Sequence, residues 1–195
     1  MSSTQDLVLA SNSPRRKQLL KAAGFQFTIK VADVDESFPS AMPPEDVAEF
    51  LAVHKNDTNR EKWGQGEVIL TADTTVVVGN EVLNKAANPE EAAAMLEKLS
   101  DTFHWVYTGV CISSLAQKTQ FSVATKLFVD KLSAAEIDYY IQQYQPFDKA
   151  GAYGIQEWFG QTKITRIEGS YSNVVGLPVR EVYQQLTEQF GLQVI

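Results

Sequence analysis

This chain has few of the groups from which disulfide frameworks and soft-metal centres are built. One cysteine, Cys111, in 195 residues excludes an intrachain disulfide and a cysteine-rich metal site. Set in Val110-Cys111-Ile112, it reads as a small core residue. The only two histidines, His54 and His104, have no metal-ligand spacing and read as structural. No apolar run approaches the ~18 residues of a membrane span. Met1 to Asp6 is polar and lacks a basic n-region before an apolar stretch, so neither a secretory signal nor a membrane partner is expected, and a cytoplasmic location is. Positive charge is scarce too. Lysine and arginine total 17 against 24 acidic residues, a net charge of −7, with no basic stripe to neutralise a run of phosphates. That excludes long nucleic acid as a partner. A small polyanion stays open where a few cations converge and a divalent metal helps. What the chain does have is apolar content, 44%, enough for one globular domain over residues 1–195 with a substantial core.

Hydrophobic periodicity predicts an α/β order. Leu7-Val8-Leu9 reads as a short buried strand and Pro14 to Ala23 as a helix stopped by Gly24. Phe25 to Val31 alternates as a strand, and Asp33 to Pro44 is a loop. Pro43-Pro44 is expected to open a helix with Val47, Phe50, Leu51 and His54 on one face. Gly64-Gln65-Gly66 breaks it. Val68 to Leu70 and Thr74 to Val78 are β-rich, and Gly79-Asn80 signals a hairpin into Glu81 to Leu83. Asn88-Pro89-Glu90-Glu91 starts a helix with Ala92, Met95, Leu96 and Leu99 on one face. Phe103 to Leu115 and Thr119 to Leu132 predict a long hairpin joined near Ala116-Gln117-Lys118. Ser133-Ala134-Ala135-Glu136 is a capping box for a helix through Tyr144. Thr162 to Ile167 reads as a strand, and Pro178 opens a last helix that Gly191 stops. The sum is a mixed sheet flanked by helices.

Several residues invite chemistry. Ser11, Asn12 and Ser13 form a polar loop feeding a helix that Pro14 starts, so free N–H groups and a positive dipole end face outward there. Arg15 and Arg16 oppose that dipole, and a phosphate would offset them; a capped surface helix with solvated arginines is the alternative. Asp73 interrupts two apolar β-rich runs, where a lone carboxylate needs a cation, a metal or an open strand end; the alternative is an aspartate capping a turn. Glu36 lies in the acidic cluster Asp33, Asp35 and Glu36, which suits Mg²⁺ or is a solvated loop. Lys55 borders the buried stripe of its helix. It and Lys85, taken alone, read as solvated lysines. Gly151 and Gly154 allow close backbone approach to a ligand, or mark a turn, and Asp148 with Lys149 can form an ion pair. Arg16 can instead pair with a carboxylate and support its loop. Ser13 has no histidine partner, which argues against a serine nucleophile. Trp63, Trp105 and Trp158 read as packing residues.

The stretch Leu9-Ala10-Ser11-Asn12-Ser13-Pro14-Arg15-Arg16 resembles the opening signature of the Maf family of nucleoside triphosphate pyrophosphatases. Four further segments agree in order: Val34-Asp35-Glu36, Thr71 to Val77, Asp148 to Gln156, and Glu168 to Pro178. Two positions depart from the family pattern. Asn84-Lys85-Ala86 stands where Gly-Lys-Pro is usual, and Glu157 where glycine is common after the Ile-Gln pair. The resemblance implies an α/β fold related to that of inosine triphosphate pyrophosphatase, an elongated mixed sheet with a cleft between two lobes, commonly in a homodimer. It implies Asp73 as the proton acceptor and, with Glu36, as a ligand for a divalent metal, Mg²⁺ or Mn²⁺, with Asp35 a weaker candidate. Ser11, Ser13, Arg15, Lys55, Thr74, Lys85, Asp148, Lys149 and Gln156 are implied in substrate binding. Arg15, Thr74 and Gln156 match positions linked to substrate choice. Ile155-Gln156 matches the subgroup acting on dTTP and UTP rather than the one acting on 7-methyl-GTP, and a carboxamide that both donates and accepts suits a pyrimidine edge. Modified pyrimidine triphosphates remain open, as does a non-catalytic nucleotide-binding regulator of cell division and septum formation, a process with which the family has been associated.

Overall fold

The computed structural model describes residues 6–63 and 66–194. Expectations about Met1 to Gln5 and about the Gly64-Gln65 break fall outside the described residues. A seven-stranded sheet has the order β2-β1-β3-β5-β6-β7, with β4 paired to β3. Its strands are β1 (Leu7–Leu9), β2 (Thr28–Ile29), β3 (Val68–Val78), β4 (Glu81–Leu83), β5 (Phe103–Ser113), β6 (Lys118–Val129) and β7 (Ile164–Glu168). The helices are α1 (Pro14–Ala22), α2 (Val47–Trp63), α3 (Pro89–Leu99), α4 (Ala134–Tyr144), α5 (Trp158–Thr162), α6 (Tyr171–Val175) and α7 (Val179–Gln184). β1 runs parallel to β2 and β3, whereas β4 and β7 pair antiparallel to β3 and β6. This is the mixed α/β sheet with helices that the periodicity predicts.

The chain divides into two compact units, residues 1–73, 108–123 and 176–195 in the first, and 74–107 and 124–175 in the second. β3, β5 and β6 each pass from one unit into the other along their length. In the first unit, Leu7, Leu9, Val68, Leu70, Val110 and Ile112 meet Leu20 of α1 and Val182 of α7 in one core cluster. Val8, Ala10 and Ile69 form a second cluster, as strand alternation requires. Helix α2 lies close against the strands: a Cβ on Gly109 of β5 would fall 2.2 Å from the Ala48 carbonyl oxygen, so only glycine fits there. In the second unit, aromatic rings build the core. Tyr153 packs 4.6 Å from Phe159 and 5.3 Å from His104, and Phe159 lies 5.8 Å from Tyr140, measured between ring centroids.

Local signals hold where they are strongest. The Ser13 hydroxyl caps α1 by accepting from the Arg16 amide at 3.4 Å, Asn88 caps α3, and Ser133 with Glu136 closes a capping box on α4. The Gly79-Asn80 turn joins β3 to β4, with Gly79 at φ +57°.

Five expectations need correction. The alternating run Phe25 to Val31 forms only the two-residue β2, because its partner β1 is three residues long and leaves nothing further to pair. The Pro43-Pro44 pair makes a turn, closed by the Asp46 amide on the Pro43 carbonyl, and α2 starts at Val47. The buried face of α2 is Val47, Ala48, Leu51, Ala52, Asn56 and Asn59. Phe50 and His54 are exposed and stack on one another at 6.3 Å. The two β-rich runs around Asp73 are one continuous strand, because buried Thr71 satisfies its hydroxyl by donating to the Ala52 carbonyl at 2.7 Å. Thr162 ends helix α5 rather than opening a strand, its hydroxyl donating back to Trp158 at 2.7 Å. α5 and α6 carry too few residues to show a helical period.

Candidate active site

The cluster in the first unit centres on Lys55. Its ammonium donates to Glu36 Oε1 at 2.7 Å and to Asp73 Oδ1 in a shorter contact. Lys55 and Asp73 side chains are 15% and 13% exposed and Glu36 is 50% exposed, so one carboxylate is sunk and the other opens to solvent. Three separate segments make this cluster, and two buried asparagines fix them. Asn56 donates to the carbonyls of Ile69 in β3 and Cys111 in β5, both at 3.1 Å, and accepts from the Ser113 hydroxyl at 2.5 Å. Asn59 accepts from the Ala32 amide at 2.9 Å and donates to the Lys55 carbonyl at 2.8 Å. The first tie sets Lys55 against the strand that carries Asp73. The second draws in the loop that carries Glu36. Asp35 turns away from the cluster, taking the amide and hydroxyl of Ser37 at 3.0 and 2.7 Å, and those bonds lower its pKa.

The polar loop before α1 belongs to the same unit. The Ser13 amide donates to the buried Ser11 hydroxyl at 3.2 Å. Arg16 reaches back, its Nε donating to the Gly176 carbonyl at 2.8 Å and its Nη1 to Ser11 Oγ at 3.4 Å. It supports the loop, as the sequence allows, through a carbonyl and a hydroxyl. Burial lowers the Arg16 guanidinium pKa, and the charges of Asp73 and Glu36 act against that shift. The arginine therefore lies within the field of both carboxylates. Arg15 is half-buried beside it.

In the second unit, Thr74 follows Asp73 on β3 and is half-buried. Lys85 is exposed, and its backbone bridges to Ala150 in the glycine-punctuated segment. Gly151 lies at φ +68° with its amide on the carbonyls of Leu83 and Asn84, and a Cβ there would meet Val76 Cγ1 at 2.9 Å. The close approach that its missing side chain permits is to Val76 of the same chain. Asp148 and Lys149 form the ion pair that their adjacency suggests, at 2.6 Å. Lys149 also reaches Glu157 at 3.1 Å. The other Glu157 oxygen accepts from the Tyr140 hydroxyl, which in turn accepts from the Gly154 amide at 2.9 Å. Burial, followed by the neighbouring carboxylate, pushes the Tyr140 phenol pKa up. The Gln156 side chain is exposed, while its carbonyl accepts from Gln161 at 3.0 Å.

The structure thus brings Asp73, Glu36 and Lys55 together, and separately Asp148 and Lys149. Sequence reasoning missed Asn56, Asn59 and Tyr140 as site residues and took Glu157 only as a departure. Two amides at Lys55+1 and Lys55+4, beside an apolar helix stripe, were the available signal.

Asp73 and Glu36 are hard oxygen donors already sharing one cation, which fits Mg²⁺ or Mn²⁺ held by two carboxylates with waters and substrate phosphates completing the shell. Among the described residues no group of three His, Cys, Asp or Glu is placed to hold a metal alone.

A mid-strand carboxylate paired with an ammonium, beside a serine loop that opens a helix, is a polar cluster suited to acid–base chemistry on a charged substrate. Residues 6–189 match the family described as Maf-like protein, and the chain belongs to it. It is 45% identical over 188 residues to the dTTP/UTP pyrophosphatase of Porphyromonas gingivalis, covering 95% of this chain and 94% of that one. The corresponding Parabacteroides distasonis protein, named dTTP/UTP pyrophosphatase, is 44% identical over 181 residues, 92% of this chain and 94% of its own. Among solved structures, the Staphylococcus aureus Ham1 protein aligns over 64% of this chain and 72% of its own at TM-score 0.48 and 14% identity. No described helix is long and apolar enough to cross a membrane.

Proposed function

We propose that this chain hydrolyses dTTP and UTP to the nucleoside monophosphate and pyrophosphate. One observation carries the reading: Lys55 joined to both Asp73 and Glu36, a base candidate held at low exposure beside a cation. Asp73 accepts a proton from the attacking water, which must lie within hydrogen-bond reach of it. The water oxygen attacks the α-phosphorus, and the bond to the bridging oxygen breaks to release pyrophosphate. Lys55, Arg15 and Lys85 offset the charge that develops on the phosphate oxygens. Asp73 and Glu36 would hold a divalent metal, Mg²⁺ or Mn²⁺, which supplies further charge neutralisation and lowers the pKa of water. Ser11 and Ser13, through hydroxyls and loop amides, are assigned to phosphate binding, with Asp148 and Lys149 in substrate binding. Arg15, Thr74 and Gln156 are assigned to substrate choice, the Gln156 carboxamide pairing with the edge of thymine or uracil.

Two relatives at 44–45% identity bearing the name dTTP/UTP pyrophosphatase support this choice of bases. Modified pyrimidine triphosphates present the same hydrogen-bonding edge and belong to the same reading. The family match runs through both compact units, which supports one catalytic domain over residues 1–195. A homodimer in the cytoplasm completes the proposal; light scattering and cell fractionation test it. The reaction itself is tested by pyrophosphate release from dTTP, UTP, CTP, GTP, ATP and 7-methyl-GTP with Mg²⁺ or Mn²⁺. Cleavage of dTTP and UTP that falls about 10³-fold in Asp73→Asn, with nucleotide binding kept, is expected. Folded wild-type protein that binds nucleotide and releases no pyrophosphate would return the regulator of cell division as the better account.

A further inference from the structure

Glu157 makes more polar contacts than a surface carboxylate needs. Its side chain is 23% exposed, with Oε1 on the Lys149 ammonium at 3.1 Å and Oε2 accepting from the Tyr140 hydroxyl. Tyr140, fully buried in α4, passes the connection on by accepting from the Gly154 amide at 2.9 Å. Gly154 has no side chain because the carboxylate lies against it: a Cβ there would stand 2.7 Å from Glu157 Cδ and 2.8 Å from Oε2. On the far side, the Glu157 carbonyl accepts from the Gln161 amide at 3.1 Å, while Gln161 Nε2 donates to the Gln156 carbonyl at 3.0 Å. Gln156 is thus exposed at its side chain and held on both flanks of its backbone.

We propose that Glu157 is a positioning residue for substrate choice: by holding Tyr140 and Lys149 together it fixes the Gly154–Gln156 turn that presents the Gln156 carboxamide. This rests on the pyrophosphatase reading above for its substrate, and on the geometry of the second unit for the positioning itself. Glu157 does not touch the nucleotide; it acts through the turn. Aromatic packing supports the same arrangement, since Trp158 lies 6.2 Å from Tyr140 and 5.5 Å from Tyr139. Loss of the carboxylate frees the Tyr140 hydroxyl, and the Gly154 amide loses a fixed acceptor.

The test compares Glu157→Ala, Glu157→Gln and Tyr140→Phe with wild type by pyrophosphate release from dTTP, UTP and CTP. The glutamine keeps an acceptor for Tyr140 and serves as the rescue. Glu157→Ala should raise KM for dTTP and UTP about tenfold, narrow the preference over CTP, and leave kcat nearly unchanged. Glu157→Gln should keep the preference. In a Gln156→Ala background, Glu157→Ala should shift the preference no further. Unaltered preference, or an equal loss on all three triphosphates together with a lower Tm, overturns the proposal. A second readout needs no turnover: hydrogen exchange of the Gly154 amide should be about tenfold faster in Glu157→Ala and in Tyr140→Phe than in wild type, and unchanged in Glu157→Gln. If wild type cleaves no triphosphate, the functional reading fails while this exchange still decides the positioning. Unchanged exchange in Glu157→Ala overturns the positioning whether or not the chain is an enzyme.

Discussion

Among the described residues, each unit holds a lysine shared by two carboxylates: Lys55 between Asp73 and Glu36, and Lys149 between Asp148 and Glu157. The two lysine side chains are alike in exposure, 15% and 12%. Their scaffolds differ. Lys55 draws partners 18 and 19 positions away, from a strand and a loop, so the pair of carboxylates exists only when α2 is docked. Lys149 takes its neighbour Asp148 and a residue a short way along the same segment, and the second carboxylate is also tied to Tyr140. A buried charge costs free energy wherever it lies, and both clusters offset that cost with opposite charge. The local cluster uses its charge to hold a turn. The distant one gathers acid and base groups that no single segment carries.

Removing each lysine tests this contrast most sharply. Lys55→Met should lower kcat/KM for dTTP about 10²-fold, as loss of a group opposing developing phosphate charge does. Lys149→Met should cost about tenfold, mostly in KM. Equal losses would mean that the clusters do the same work. Next in size is the anchor of α2. Asn56→Ala strips hydrogen bonds from two strand carbonyls and a buried hydroxyl, and should destabilise the protein by about 3 kcal/mol in urea unfolding. The second unit has its own titrating core group. Burial lowers the His104 pKa to about 3, its Nε2 lying 2.7 Å from the Tyr153 hydroxyl. The folded state therefore keeps His104 neutral while the unfolded chain, titrating near 6.5, takes up a proton. Its contribution is complete above that value and is lost as pH falls from there toward 3, at about 1.4 kcal/mol per unit. His104→Phe should reduce the stability difference between pH 7 and 5 by about 2 kcal/mol, measured by denaturant unfolding at both pH values. The smallest effect belongs to the exposed pair of Lys98 and Glu81 at 2.6 Å, where Lys98→Ala should change stability by less than about 0.5 kcal/mol.

What could be read from the chain was what short-range chemistry decides. Ser13, Asn88 and Ser133 cap helices through bonds three residues long, and a sequence displays those directly. Asp73 stood out because it alone interrupts a β-rich apolar run, and Lys55 because of its place beside a helix stripe. Thr28–Ile29 could not be sized locally, since the length of β1 limits its pairing. Helix α5 was hidden because Gly160 is there for a neighbour: a Cβ would stand 1.9 Å from the Ile155 carbonyl oxygen. Asn56 and Asn59 look like solvated amides in a helix, and only the strand and loop backbones they meet reveal them as buried struts. Tyr140 reads as one more apolar position of α4, since a phenol shows its polar partner only in three dimensions.

The bond from Arg16 to the Gly176 carbonyl spans 160 residues. A ribosome delivers the first of these groups long before the second. Until Gly176 has emerged, the serine loop lacks the strut that sets its shape, however early β1 and α1 form. The native shape of the serine loop is therefore among the last features the nascent chain acquires, and a chain interrupted before Gly176 is made without this strut.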